Sequence, residues 1–446
     1  MKQTNILIIG GGPAGLVAAS TARTYYPEKE ITLVRKTDRT PVPCGIPYIF
    51  NRLEGVDQNL IPDGSLDAQG IKWSVREVIK IETEAHQVIF ADGEKLGYEK
   101  LVLATGSTAV RPPIPGAEKE GVFVVKKSPS YLRRLRAAVL AAKNIVIIGG
   151  GFIGVEFAEE ISQMENKSVS IVEMLPRCLC TAFDDEICEV GEAELKRLGV
   201  TFYMEEKVTQ IAGEGKLEVV LASGKRLPAD LVLISVGARP NVELAAEAGV
   251  EIGFSKAIWV DEYMRTPTAD VFAIGDCAEK KDFFTRKTTQ VMLASTACTE
   301  ARIAGANLYK LNVVREKQGS LANFSTHLGD VTLASAGLTE RRAREENFDI
   351  VVGVGKTKNR HPGSLPGAHS VMVKLVFSAD SLVLLGGQVS GGQEAGELIN
   401  TIALALQNLM TANQLTALQV ATHPLLTSAP TTYPLVTAAM QAIAKR

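Results

Sequence analysis

Three features of the sequence predict an α/β protein made of two Rossmann-like parallel-sheet domains followed by an α+β domain. An apolar run enters G-x-G-x-x-G near the N-terminus, and a second such run follows about 140 residues later. After Ala322 the pattern changes to apolar strands such as VMVKLVF and LVLLGGQV, with an amphipathic helix through ELINTIALALQNL.

The first run is NILIIGGGPAGLVAAS, Asn5 to Ser20, where a strand passes into an alanine-rich helix through Gly10, Gly12, Pro13, Ala14 and Gly15. The first glycine permits the tight turn, the second lets a pyrophosphate approach the backbone, and the third lets helix pack on strand. The helix N-terminus then faces the negative charge. The second run, NIVIIGGGFIGVEFAEEI, carries Gly149, Gly151, Phe152, Ile153 and Gly154 in the same frame. One such motif is weak evidence, but two in the order strand, glycines, helix make both segments dinucleotide-binding.

The residue that ends the next strand tests the nucleotide. SVSIVEMLPR places Glu173 there, suited to a ribose 2'-hydroxyl and repulsive to a 2'-phosphate, which favours NADH over NADPH. ITLVRKTDRT places Arg35 at the equivalent position of the first motif, so Arg35 either contributes to the first cradle or is a solvated surface residue.

Composition narrows the function class. The chain has 446 residues, 46% hydrophobic and 22% charged, as expected for two or three globular domains. A net charge of -2 and no long basic run argue against nucleic-acid and membrane-surface partners and for small-molecule chemistry. Apolar stretches are short and broken by glycine, and the N-terminus lacks a secretory pattern, so the protein reads as cytoplasmic. The six cysteines (44, 178, 180, 188, 277 and 298) form no CxxC pair, so neither a disulfide scaffold nor a metal site is expected. Cys178 and Cys180 would share one face of a strand and, with Cys188, Cys277 and Cys298, serve as packing residues.

Cys44 is different. In PVPCGIPYIF it sits among Pro41, Pro43, Gly45 and Pro47, which disfavour a regular helix or an interior strand and predict a rigid, irregular turn.

Further segments carry a family resemblance. LVLATGS, with Ala104, Thr105 and Gly106, LVLISVGARPN, with Gly237, and TPTADVFAIGDCAE, with Gly275 and Asp276, follow the two glycine loops in an order that resembles the flavin-dependent pyridine nucleotide disulfide oxidoreductases over almost the whole chain. The resemblance implies FAD in the first cradle with Asp276 on its ribitol, and NADH in the second. It makes Phe152 the ring that gates the nicotinamide slot and Glu156 a carboxylate near the nicotinamide or its redox partner. On bare sequence, Phe152 reads equally as core and Glu156 as a helix-surface acid. Residues 1–112 and 247–321 would form the FAD domain and 113–246 the NAD domain, with VRPPIPG a hinge at the first crossing. Residues 322–446 resemble the family's dimerisation domain, which implies a homodimer.

The broader family uses a CxxxxC pair, absent here. A single cysteine in PVPCGIPY resembles the branch of coenzyme A disulfide reductases, persulfide or polysulfide reductases, and NADH oxidases or peroxidases. There Cys44 would lie beside the flavin, cycling between a thiolate and a mixed disulfide or sulfenic acid. A rigid turn suits that role, since misplacing a reacting atom by about 1 Å can cost about a hundredfold in rate.

Other positions choose within the branch. Pro13 stands where the peroxidase and water-forming oxidase members of the branch carry histidine, which argues against a peroxidase. HPGSLPGA has Ser364 and Leu365 where coenzyme A disulfide reductases carry an aromatic pair. His423-Pro424 resembles the histidine-proline motif through which a partner subunit supplies an acid or base, though Ser428 replaces its orienting glutamate, and Tyr433 is the rival donor. His361 and His369 rank lower, and His86 and His327 read as surface or core. Arg23 falls where the coenzyme A branch has basic residues, but Thr24 and Tyr25 follow it, so polysulfide or a small persulfide is as good a substrate as a coenzyme A derivative. No rhodanese-like segment follows residue 446, so sulfur is expected to come from elsewhere. The alternatives are an NADH oxidase reducing oxygen and an electron donor to a small redox protein such as a rubredoxin.

Overall fold

The computed structural model describes residues 2–62, 64–314 and 319–446. Its first sheet runs in the order Lys72–Val75, Ile31–Arg35, Lys2–Ile9, Lys95–Leu103, Gln87–Phe90, Val78–Glu82, and Val271–Ala273 pairs along Lys95–Leu103. The strands next to the first glycine loop are parallel, with Ile8 in register with both Leu33 and Val102. Ile6, Leu7 and Ile8 are all fully buried, because helices and loops cover both faces; such strands read as unbroken apolar runs.

The second sheet repeats the plan with five parallel strands, in the order Thr201–Tyr203, Ser168–Val172, Asn144–Ile148, Leu231–Ile234, Val122–Val124. Two short antiparallel segments, Ser107–Ala109 and Ala238–Pro240, join the units. Asn241 laces this crossing: its amide donates to the Thr105 carbonyl at 2.9 Å, and its own carbonyl accepts from the Thr105 hydroxyl at 2.8 Å.

The third unit is a five-stranded antiparallel sheet, Phe324–Leu328, Val331–Gly337, Leu384–Gly391, Ser370–Ser378, Ile350–Lys358. The helix Ala395–Gln407 packs on it, as does the last helix, Pro434–Ala444. That last helix lies close on its strand: a Cβ added at Gly353 would stand 1.8 Å from the Ala438 carbonyl oxygen.

A buried polar strut ties the third unit to the second. Lys374, on the third sheet with 5% of its side chain exposed, reaches Asp184 at 2.9 Å, Glu186 at 2.5 Å and Glu340 at 2.9 Å. Gln388 donates to Asp184 Oδ2 at 2.5 Å and accepts from the Asp184 N–H at 2.8 Å. Removing one partner of a buried ion pair strands the other's charge at about 3–5 kcal/mol. Lys374→Met is therefore expected to lower unfolding free energy by about that amount, read by equilibrium denaturation.

Candidate functional site

Both glycine loops have the geometry of a phosphate cradle. Gly10 and Gly149 hold φ of 128° and 106°, conformations that side chains rarely adopt. A Cβ added at Gly15 would lie 1.9 Å from the Gly10 carbonyl oxygen, and one at Gly154 would lie 2.0 Å from that of Gly149. At Gly12 and Gly151 an added Cβ meets nothing within 4 Å, so the backbone faces open space at the helix N-terminus. That combination fits a dinucleotide pyrophosphate at each loop.

Around the first cradle, Pro13, Ala14 and Gly15 open the helix Pro13–Tyr25, and Ala104 lies against Gly10. Thr105, Gly106 and Gly237 stand at the crossing, where the Gly237 carbonyl accepts from the Val110 N–H. Gly275 and Asp276 follow the strand Val271–Ala273 on the same sheet edge. Asp276 accepts from the Ser107 hydroxyl at 2.6 Å and from Lys127 at 3.2 Å. Lys127 carried no sequence signal, being one of two adjacent lysines after a short strand.

Arg35 is not a solvated surface residue. It is 4% exposed and stacks 4.6 Å over the ring of Trp73, and its guanidinium donates to the Asp38 carbonyl. A Cβ at Gly11 would meet its side chain at 2.5 Å, so Arg35 lines the back of the first loop.

At the second cradle, Glu173 accepts from the N–H groups of Gly150 at 2.6 Å and Leu175 at 2.8 Å, which fixes its carboxylate beside the loop. Phe152 and Ile153 open the helix Phe152–Ser162. Phe152 is half-buried, stacked on Phe324 at 5.0 Å and 17°, with Phe183 at 5.9 Å on another side. Glu156 is no free helix-surface acid. It is half-buried, and surrounding protein lifts its carboxyl from the usual carboxylate range to about 7, against the opposing hydrogen bond from the Thr326 hydroxyl at 2.9 Å.

Cys44 lies in the short 3-10 turn Pro43–Gly45, followed by a second at Pro47–Ile49, as the prolines predict. The thiol is accessible. Burial of its surroundings and the charges of Glu156, Asp276 and Cys298 push it above the ordinary thiol range, while Lys127 pulls it down. The thiol therefore feels residues of both cradles at once.

The turn is held mainly by the second unit. Ile46, Ile49 and Phe50 share a core with Ile145, Phe157 and Leu233, and the Phe50 and Phe157 rings lie 5.1 Å apart. Arg136 donates to the Ile49 carbonyl at 2.8 Å. Arg52 reaches the buried Glu159 at 2.5 Å and Glu160 at 2.7 Å. Burial and the adjacent Glu159 raise the Glu160 carboxyl, which Arg52 opposes.

Among the described residues, His423 and Tyr433 make their hydrogen bonds within the C-terminal segment and none to either cradle. His423 is exposed on a C-terminal loop that is tied to His361, whose N–H donates to the Pro424 carbonyl at 3.1 Å. Tyr433 caps the last helix and packs on the third unit's core. Cys178 and Cys180 do not share a strand: they lie in an irregular turn with Leu179 at φ 62°, where two-residue alternation does not hold. Both are buried, with Cys188 and Cys277, whereas Cys298 is half-buried.

Arg23 is also spoken for. Its guanidinium donates to the carbonyls of Gln69, Pro27, Lys29 and Gly70, bracing two loops. Among the described residues no group of three or more His, Cys, Asp or Glu could hold a metal, and no helix is long and apolar enough to cross a membrane.

Comparison with known proteins agrees with this architecture. Residues 4–301 match the pyridine nucleotide-disulphide oxidoreductase model, and residues 324–434 match the dimerisation domain of the same name. An NAD(P)H coenzyme A polysulfide/persulfide reductase of Pyrococcus horikoshii is 32% identical over 417 residues, covering 92% of each chain. An NADH oxidase of Methanocaldococcus jannaschii is 30% identical over 419 residues, again covering 92% of each. Among solved structures, a NAD-dependent persulfide reductase from A. fulgidus superposes with a TM-score of 0.91 at 31% identity, over 99% of this chain and 83% of that one. With two glycine-loop cradles, an accessible thiol in a proline-rich turn and matches over both regions, the chain belongs to the pyridine nucleotide-disulphide oxidoreductase family, flavoproteins that use FAD and NAD(P)H.

Proposed function

We propose that the protein is an NADH-dependent reductase of sulfur-sulfur bonds in polysulfides or small persulfides, working through Cys44. The observation that carries this reading is the position of that thiol, in electrostatic reach of Asp276 and Lys127 at the first cradle and of Glu156 at the second. The first cradle would hold FAD, with Asp276 toward the ribitol, and the second NADH. Bound FAD supplies two-electron exchange between a nicotinamide and a thiol or disulfide.

The chain's residues do the rest. The Cys44 thiolate attacks a substrate sulfur, the sulfur-sulfur bond breaks, and a thiol or sulfide leaves while Cys44 is held as a mixed disulfide. Two electrons, which bound NADH and FAD would supply, would break the sulfur-sulfur bond of that mixed disulfide, releasing its second fragment as a thiol or sulfide and restoring the Cys44 thiolate. Lys127 supplies positive charge that partly opposes the burial and carboxylates raising the Cys44 thiol. Phe152, held by its stack on Phe324, would border the nicotinamide end. Polysulfide or a small persulfide is favoured over a coenzyme A derivative, because the Arg23 donors are already spent on backbone carbonyls.

A homodimer completes this scheme. Leu425 and Leu426, 51% and 70% exposed beside His423, leave apolar side chains on the dimerisation domain for a second copy to cover, and that copy would carry His423 toward Cys44 as a proton donor. The experiment is anaerobic stopped-flow reoxidation of the NADH-reduced protein by polysulfide, coenzyme A persulfide, oxygen and a rubredoxin. Fast reoxidation by polysulfide is expected; fast reoxidation by oxygen alone would make the protein an NADH oxidase.

The nucleotide preference has its own test. Glu173 is held with its carboxylate beside the loop, and losing a charged hydrogen bond to a ribose hydroxyl costs about 1.5–3 kcal/mol. Glu173→Ala is expected to lower kcat/KM for NADH by about tenfold to a hundredfold while NADPH is unaffected or improved, as steady-state kinetics with each nucleotide will show.

A further inference from the structure

One strand of the dimerisation domain lies along the face of the helix that carries the nicotinamide-end residues. Phe152, Glu156 and Glu159 are spaced i, i+4, i+7, so they form one stripe of the helix Phe152–Ser162. Each has a partner on or just after the strand Phe324–Leu328. Phe324 stacks on Phe152 at 5.0 Å, Thr326 donates its hydroxyl to Glu156 Oε1 at 2.9 Å, and the Gly329 N–H donates to Glu159 Oε1 at 3.1 Å. Thr326 is buried, so its hydroxyl has little other use than this bond.

We propose that Thr326 is a positioning residue: it orients the Glu156 carboxylate and favours its anionic form at the nicotinamide end of the second cradle, so that the dimerisation domain sets how strongly the oxidised nucleotide is held. The inference rests on the reading of that cradle as the NADH site. The physical argument is electrostatic. Oxidised nicotinamide carries a positive ring charge that the reduced ring lacks, so an anionic Glu156 favours the oxidised ring and a neutral one does not. Burial works against ionisation, and the donated hydroxyl works for it. Among the described residues, Cys44 and Tyr48 from the thiol turn and Glu159 on its own helix also act with Glu156, and each adds negative charge when ionised. The cation at this stripe, Arg52, is engaged by Glu159 at 2.5 Å, which leaves the Thr326 hydroxyl as the donor bonded to Glu156 itself.

The test is calorimetric binding of NAD+ to the oxidised, FAD-loaded protein between about pH 6 and 8. Wild type is expected to bind more tightly as pH rises through about 7, where the Glu156 carboxyl ionises. Thr326→Val keeps the shape and removes the donor, and should move that tightening upward by about one pH unit, the scale of one charged hydrogen bond. Thr326→Ser should restore the wild-type profile, and Glu156→Gln should flatten it. A Thr326→Val profile that coincides with wild type, while Glu156→Gln flattens it, would overturn the role of Thr326 alone. If Glu156→Gln keeps the wild-type pH dependence, the carboxyl is not at the nicotinamide, and the assignment of the second cradle's inner end fails instead.

Discussion

Cys44→Ser is expected to leave the flavin fully reducible by NADH while cutting polysulfide turnover by about a thousandfold or more, the scale on which loss of a covalent nucleophile acts. The two halves separate because they use different groups. On the proposed reading, hydride delivery would depend on the second cradle with Phe152 and Glu156, which respectively stack on Phe324 and accept from Thr326. Sulfur transfer needs an atom that can enter a sulfur-sulfur bond, which a serine oxygen cannot do. Cys298 serves as the control: it is another thiol whose charge Cys44 feels, it is half-buried, and Cys298→Ser should change turnover little. Rapid-mixing absorbance at the flavin band reads the first half-reaction, and sulfide release reads the second. Unaltered sulfide release by Cys44→Ser would remove the thiol from the mechanism.

The second large effect concerns the cradles themselves. Gly15→Ala places a methyl group where the Gly10 carbonyl oxygen already stands, at 1.9 Å, and two backbone segments rather than a flexible side chain would have to part. The protein is expected to purify with FAD occupancy reduced at least tenfold, corresponding to about 1.4 kcal/mol or more of lost binding. Gly154→Ala makes the matching collision with the Gly149 carbonyl at 2.0 Å. That variant should stay yellow but resist reduction by NADH. The ratio of flavin to protein absorbance and the NADH titration distinguish the pair; a Gly154→Ala protein that loses FAD instead would reverse the assignment of the two loops.

The cradles were legible because their chemistry is local. A turn at positive φ, a close helix-strand contact and an apolar parallel strand each leave a mark within about ten residues, as Gly10, Gly15 and Ile6 to Ile9 do. The proline-rich turn at Cys44 was legible for the same reason. What sequence concealed depends on partners far along the chain. Arg35 is buried because Trp73 offers it a ring, and Lys127 matters because Asp276 and Ser107 lie across the crossing. Thr326 is one polar residue in a strand until the helix holding Glu156 is laid against it. Cys178 and Cys180 failed as a strand pair because Leu179 takes a left-handed conformation, and leucine gives no warning of that.

The anchoring of the thiol turn bears on how such proteins can be recombined. Ile46, Ile49 and Phe50 insert among residues of the second unit, and Arg52 grips its helix, although the first glycine loop precedes them in the chain by fewer than fifty residues. A chimera that imports a foreign NADPH-specific module by cutting only at the VRPPIPG crossing would leave these side chains facing an unmatched surface. Residues 46–60 must travel with the incoming module for the sulfur to keep its aim.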